Sequence, residues 1–207
     1  MPKIILFQGD SVTDAARSRE NDSNLGVGYA TLVKGVLSYE FPQQYVFYNR
    51  GIGGNRVVDL YARIKEDIIN IQPDILSILI GVNDVLRVYE GQSGVTENKS
   101  YKVYSMLIEE IKEALPEVKI LILEPFVLKA SATEEHWEEI RDGVRKRAEI
   151  ARKIADKYNL AFVELQDKFD EVGKMTSNDY WLVDGVHPTT AGHELIKREW
   201  LKVFEKF

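Results

Sequence analysis

The stretch PDILSILIGVNDVLR, residues 73–87, decides how this chain is read. Its first half, DILSILI (74–80), is almost unbroken in apolar residues and rich in Ile and Leu. A strand with one wet face alternates apolar and polar, whereas a continuous run marks a strand covered on both faces, as in a parallel sheet. Four other runs have the same character: KIILF (3–7), YVFY (45–48), VKILILE (118–124) and LAFVEL (160–165). Between them the apolar residues step by three and four. Tyr29, Leu32, Val33, Val36 and Leu37 form one helical face, and Leu60, Tyr61, Ile64 and Ile68 a second. Tyr104 to Leu115, Trp137 to Tyr158 and Leu195 to Phe204 supply three more. Five strands alternating with helices predict an α/β fold, a parallel sheet with helices on both faces. The polar stretch Glu90–Ser100 reads as a loop or insertion, and no repeat, low-complexity segment or linker divides residues 1–207, which predicts a single domain.

Composition narrows the function. Hydrophobic residues make up 44% of the 207 and charged residues 29%, enough to build one sizeable core. The net charge of −6 and the lack of a basic block argue against nucleic acid as a partner. There is no cysteine, which removes disulfides, thiolate nucleophiles and cysteine-ligated zinc. The apolar run at Ile4–Phe7 is too short for a signal-peptide core, and the run around Ile75–Val82 too short to span a membrane. A cytoplasmic protein with no membrane association is expected. A homo-oligomer is left open.

In open parallel sheets ligands bind beyond the carboxyl ends of the strands. After the first strand stands GDSVTD, with Ser11 on the turn; after the second NRGIGGN, residues 49–55; after the third GVNDV, with Asn83. The second stretch is not a dinucleotide loop, because G-x-G-x-x-G from Gly51 would need glycine at Arg56. Beyond the fifth strand comes WLVDGVHPTTAGH, residues 181–193, where Asp184 stands three places before His187. Each feature alone reads as a turn or cap at least as readily, the lone serine above all. Together, at one end of one sheet, they supply a nucleophile, a base with an orienting carboxylate, and hydrogen-bond donors for a developing oxyanion.

GDSV (9–12), the glycines of NRGIGG, GVND (81–84) and DGVH (184–187) resemble, in order, the four sequence blocks of the SGNH (GDSL-type) hydrolases. That resemblance implies a three-layer α/β/α sandwich with a five-stranded, flavodoxin-like parallel sheet. It implies Ser11 as nucleophile, His187 as general base and acid, Asp184 as its orienter, and no cofactor or metal. The oxyanion donors would be the N–H of Ser11, the side chain of Asn83 and the N–H of Gly54, with Gly53 the alternative. GYATLV, NRGIGGNRVVDLYAR, PDILSILIGVNDVLR, LEPFVL and WLVDGVHPTTAGH resemble most closely the branch of serine acetylxylan esterases and related carbohydrate acetyl-esterases. In that branch a Trp often precedes the arginine of the third block; here Leu86 precedes Arg87. The substrate this implies is a small ester, an acetylated sugar first, with lipid, aryl and thioesters as alternatives. Phe126, Trp181 and Val183 are expected as apolar pocket walls, and Asp10, Asp14, Arg56 and Arg87 as polar groups at the rim.

Two rival readings remain. Asp10, Asp184, His187 and His193 are candidate metal ligands, but His187 and His193 are six apart across a proline, unlike the helical i, i+4 pair of zincins. Ten tyrosines and three tryptophans suit a sugar-binding module, which would have no need of the Ser, Asn, Asp and His set. His193 is expected to support packing in the last helix, and His136 to be a solvated surface residue.

Overall fold

The computed structural model describes residues 1–206. Five parallel strands, β1 (Lys3–Gly9), β2 (Tyr45–Asn49), β3 (Ile75–Leu79), β4 (Lys119–Leu123) and β5 (Ala161–Val163), form one sheet in the order β2-β1-β3-β4-β5. All five fall on the runs read as strands. The helices are α1 (Ser11–Asp14), α2 (Tyr29–Glu40), α3 (Val57–Ala62), α4 (Ile64–Asp67), α5 (Val82–Gly91), α6 (Glu97–Ala114), α7 (Trp137–Tyr158), α8 (Gln166–Gly173), α9 (Asn178–Trp181) and α10 (Thr190–Phe204).

The period of two along each strand sorts side chains into two layers. Ile5, Phe7, Leu121 and Leu123 face a cluster with Tyr29 and Val33 of α2, Phe169 of α8, and Ile196 and Trp200 of α10. Leu6, Ile78, Ile120 and Ile122 face the other way, against Leu60 of α3, Ile108 of α6 and Ile154 of α7. Both faces are therefore dry, which explains the unbroken apolar runs. A third cluster, with Val85 of α5, Ile140 and Val144 of α7, and Val186, packs at the carboxyl end of the strands.

Two expectations are corrected. The face Leu60–Ile68 is not one helix: the chain breaks at Arg63, whose guanidinium turns inward to the backbone oxygen of Arg50 and to the Gln8 side chain. The stretch Glu90–Ser100 is mostly helical: α5 runs to Gly91 and α6 starts at Glu97, leaving a short loop between.

His193 takes the structural role expected of it, with a consequence for acid stability. The cap of α2 is Gly28, which has no side chain, and the Nδ1 atom of His193 instead accepts from the Tyr29 N–H at 3.2 Å. Burial pushes the pKa of this ring down to about 4. The unfolded chain therefore takes up the proton more readily than the folded one. The stability this group contributes is whole above about pH 6.5 and is lost as pH falls toward 4, by roughly 3 kcal/mol. Urea unfolding at pH 7 and pH 4.5 tests this. Wild-type protein should lose more stability on acidification than His193→Gln, and equal losses would show that the ring does not titrate with folding.

His136 differs from expectation. It sits at the start of α7 with its ring stacked on Tyr89 at 4.4 Å, half-buried rather than solvated.

Candidate active site

In this strand order the chain leaves the sheet in opposite directions from β1 and β3, which lie side by side. That switch point is where such sheets bind ligands, and the site is built there. β1 ends at Gly9 and the chain turns at once into α1. Asp10 caps this short helix, its carboxylate accepting from the Val12 N–H at 3.0 Å, so that Ser11 is the first helical residue.

Ser11 Oγ lies 2.9 Å from His187 Nε2. On the other side of the ring, His187 Nδ1 lies 2.7 Å from Asp184 Oδ2. The turn Asp184–His187 achieves this by wrapping round its own carboxylate: Asp184 Oδ1 accepts from the N–H groups of Val186 at 2.9 Å and His187 at 2.8 Å. Burial raises the pKa of Asp184, but these bonds and the imidazole outweigh it and hold the carboxyl below its usual value. An ionised Asp184 accepts a hydrogen bond from Nδ1–H, which keeps that proton on Nδ1 and leaves the Nε2 lone pair facing the serine hydroxyl.

The turn is locked from outside. Gly185 has φ +97°, and a side chain there would meet the Leu128 carbonyl oxygen at 2.4 Å. The Gly185 oxygen accepts from Leu128 N–H, and the Asp184 oxygen from Ala132 N–H, so the segment after β4 clamps the turn. Downstream, Thr189 caps α10 through the Gly192 N–H.

The candidate donors lie on the glycine-rich loop, where a Cβ on Gly53 would come 3.8 Å from Ser11 Cβ, and on α5. Asn49, wholly buried at the end of β2, ties the glycine-rich loop to α1 by donating to the Thr13 and Leu25 oxygens and accepting from Gly51 N–H. The N–H of Gly53 is already used, donating to Asp14 Oδ2 at 3.1 Å. The N–H of Gly54 has no partner among the described residues. Gly54 has φ +78°, and a side chain there would strike the Arg87 guanidinium at 2.3 Å. Asn83, in the first turn of α5, donates one amide hydrogen to the Asn55 oxygen at 3.1 Å and keeps the second. That bond fastens the loop carrying Gly54 to the helix carrying Asn83.

The residues expected at the substrate fall into two sets. Val183, just before Asp184, is 60% exposed, and Arg87 lies over Gly54 with only a 3.5 Å contact to Glu90. Both are on the rim. The others are held elsewhere. Asp10 is 1% exposed and is spent on its cap; burial pushes its pKa up to about 7. Phe126 is buried against Phe169 at 4.3 Å. Asp14 is tied to Gly53 and to Arg19, and Arg56 to Asp59 and the Ser93 oxygen. Trp181 packs edge-on to Tyr180, and its backbone oxygen accepts from Thr189 N–H. Standing near a strand end in sequence does not decide which way a side chain turns, and at Asp10 and Phe126 it turns inward.

A hydroxyl, an imidazole and a carboxylate in series, at the switch point of a three-layer α/β/α sandwich, define a serine-hydrolase type of site. The chain matches the GDSL-like lipase/acylhydrolase family over residues 7–195, and it belongs to that family; it is a carboxylic ester hydrolase. The acetylxylan esterase of Geobacillus stearothermophilus is 34% identical over 205 residues, covering 96% of this chain and 92% of its own. A crystal structure of that enzyme superposes with a TM-score of 0.87 at 34% identity, over 97% of this chain and 93% of that one. A GDSL-like protein from Parabacteroides merdae gives a TM-score of 0.92 at 36% identity, over 99% and 97% of the two chains. Among the structures of the Geobacillus stearothermophilus enzyme are three catalytic mutants, in which an aspartate, a histidine and a serine are each replaced by alanine.

Proposed function

We propose that this esterase removes short acyl groups, acetyl above all, from a carbohydrate such as a xylo-oligosaccharide, through an acyl-enzyme on Ser11. The observation that carries the reading is the continuous hydrogen-bonded series Ser11–His187–Asp184, faced by the unpartnered N–H of Gly54 and the half-free amide of Asn83. His187 takes the Ser11 proton as Oγ attacks the ester carbonyl. The oxyanion is held by the N–H groups of Ser11 and Gly54 and by Asn83. His187 then protonates the departing alcohol, and water repeats the sequence to release the acid. The aspartate, histidine and serine replaced in the Geobacillus stearothermophilus catalytic mutants are the residue types this assignment uses, with the same spacing of three between aspartate and histidine.

The site is open. The His187 side chain is 48% exposed and Val183 is 60% exposed. An open rim suits a small acyl group on a large hydrated alcohol better than a long alkyl chain, which needs a deep apolar channel. The test is a series of aryl esters from acetate to octanoate, run beside acetylated xylo-oligosaccharides. Rates should fall with chain length and the acetylated sugars should be turned over. A preference for octanoate would overturn the acetyl assignment while leaving the esterase chemistry in place.

A further inference from the structure

Behind the donors lies a buried polar cluster that none of the steps above uses. Asp84 follows Asn83 in α5 and is wholly buried. Its Oδ1 accepts from Val57 N–H, the first residue of α3, at 3.4 Å. Arg147 of α7 acts on it by charge, without an ion pair between them, and is linked to its backbone through Val95. The Arg147 Cβ packs against the start of α5, 3.4 Å from where a side chain on Gly81 would begin, and its Nη2 donates to the Val95 oxygen at 2.5 Å. Val95 in turn donates its N–H to the Asp84 backbone oxygen. Three buried atoms here, Asp84 Oδ2, Arg147 Nε and Tyr104 Oη, have no partner among the described residues.

We propose that Arg147 is a positioning residue for the oxyanion donors, acting through Asp84. The route is short. Asp84 fixes the start of α3, three residues after Gly54, and is the next residue after Asn83. Arg147 fixes Asp84 by its charge and fixes both ends of the segment Gly81–Val95 by packing and by its bond to Val95. One cation thus holds the two elements that carry Gly54 and Asn83 at a common spacing, and it lies outside all four sequence blocks.

The charges around Asp84 set the sign of the pH dependence. Burial, with a smaller push from Asp10 at the end of β1, raises its pKa to about 7 against Arg147 from α7, the Val57 N–H and Arg56 ahead of α3, which favour the ionised form. Its charge in turn bears on Tyr104 of α6, whose pKa is raised chiefly by burial. Glu97 is a further carboxylate acting on Arg147. Removing Arg147 withdraws a favourable charge, so Asp84 ionises only at higher pH.

The inference rests on the esterase mechanism, and its test separates the two. With aryl acetate, Arg147→Met should lower kcat by about 10- to 100-fold, the range for misplaced catalytic geometry, leave KM little changed, and move the acid limb of kcat to higher pH. Arg147→Lys should recover part of the loss. If Arg147→Met does not fold, Asp84→Asn, which keeps the shape and an acceptor for Val57, should lower kcat and remove one titration from the acid limb. A folded variant of either kind with the kcat and acid limb of wild type overturns the proposal. A readout that needs no turnover is the NMR signal of the Gly54 N–H and the Asn83 side-chain amide. Both should shift in these variants, and unshifted signals would refute the positioning role whether or not the protein hydrolyses the ester.

Discussion

Ser11→Ala should reduce kcat on aryl acetate by about a millionfold, the scale seen when the nucleophile of a serine hydrolase is removed. The whole effect is expected in turnover and almost none in folding. Ser11 Oγ makes one bond, to His187 Nε2, in a site open to water, and α1 is capped by Asp10, not by the serine. A methyl in its place leaves the cap, the sheet and the donors intact. The remaining activity is what those donors and the bound geometry supply without a nucleophile. A fluorophosphonate should label wild type at Ser11, read by peptide mass, and leave the variant unlabelled. Hydrolysis by the variant within tenfold of wild type would dismiss the acyl-enzyme.

Asp184→Asn should cost about ten-thousandfold, by a different route. The asparagine oxygen still accepts from Val186 and His187 N–H, so the turn keeps its form. The amide nitrogen then faces His187 Nδ1 and offers it a hydrogen. The ring answers by moving its own proton to Nε2, the atom facing Ser11. A donor now stands where the base should be. Turnover and pH profile are the measurements: kcat should fall across the whole range, with substrate binding retained. A variant that keeps a rate within tenfold of wild type would dismiss the hold of Asp184 on the tautomer.

The parts of this site that were legible in the sequence are those fixed by the strand ends. The five apolar runs carry the sheet, and the sheet brings Ser11, Asn83 and His187 to one edge. The sequence left Gly53 and Gly54 undecided, because the choice depends on Asp14, which takes up one N–H and leaves the other. It placed Asp10 and Phe126 at the substrate, because adjacency to a strand end does not reveal the inward turn each side chain makes. The roles of Asp84 and Arg147 were out of reach for a plainer reason. Arg147 lies in a helix whose pattern is filled with charged residues, and only the packing of α7 against α5 distinguishes it from the solvated ones.

One feature of the sheet bears on when this enzyme first becomes active in the cell. The strand that leads to Ser11 lies second in the sheet and is roofed by α10: the Trp200 ring packs on Phe7 at 5.7 Å, and its Nε1 donates to Ser77 on the neighbouring strand at 3.0 Å. His187 enters just ahead of that helix. The nucleophile and its base are thus 176 residues apart in the chain, and the ribosome must supply that whole stretch before they can meet. A nascent chain that stops short of His187 therefore carries the nucleophile without its base.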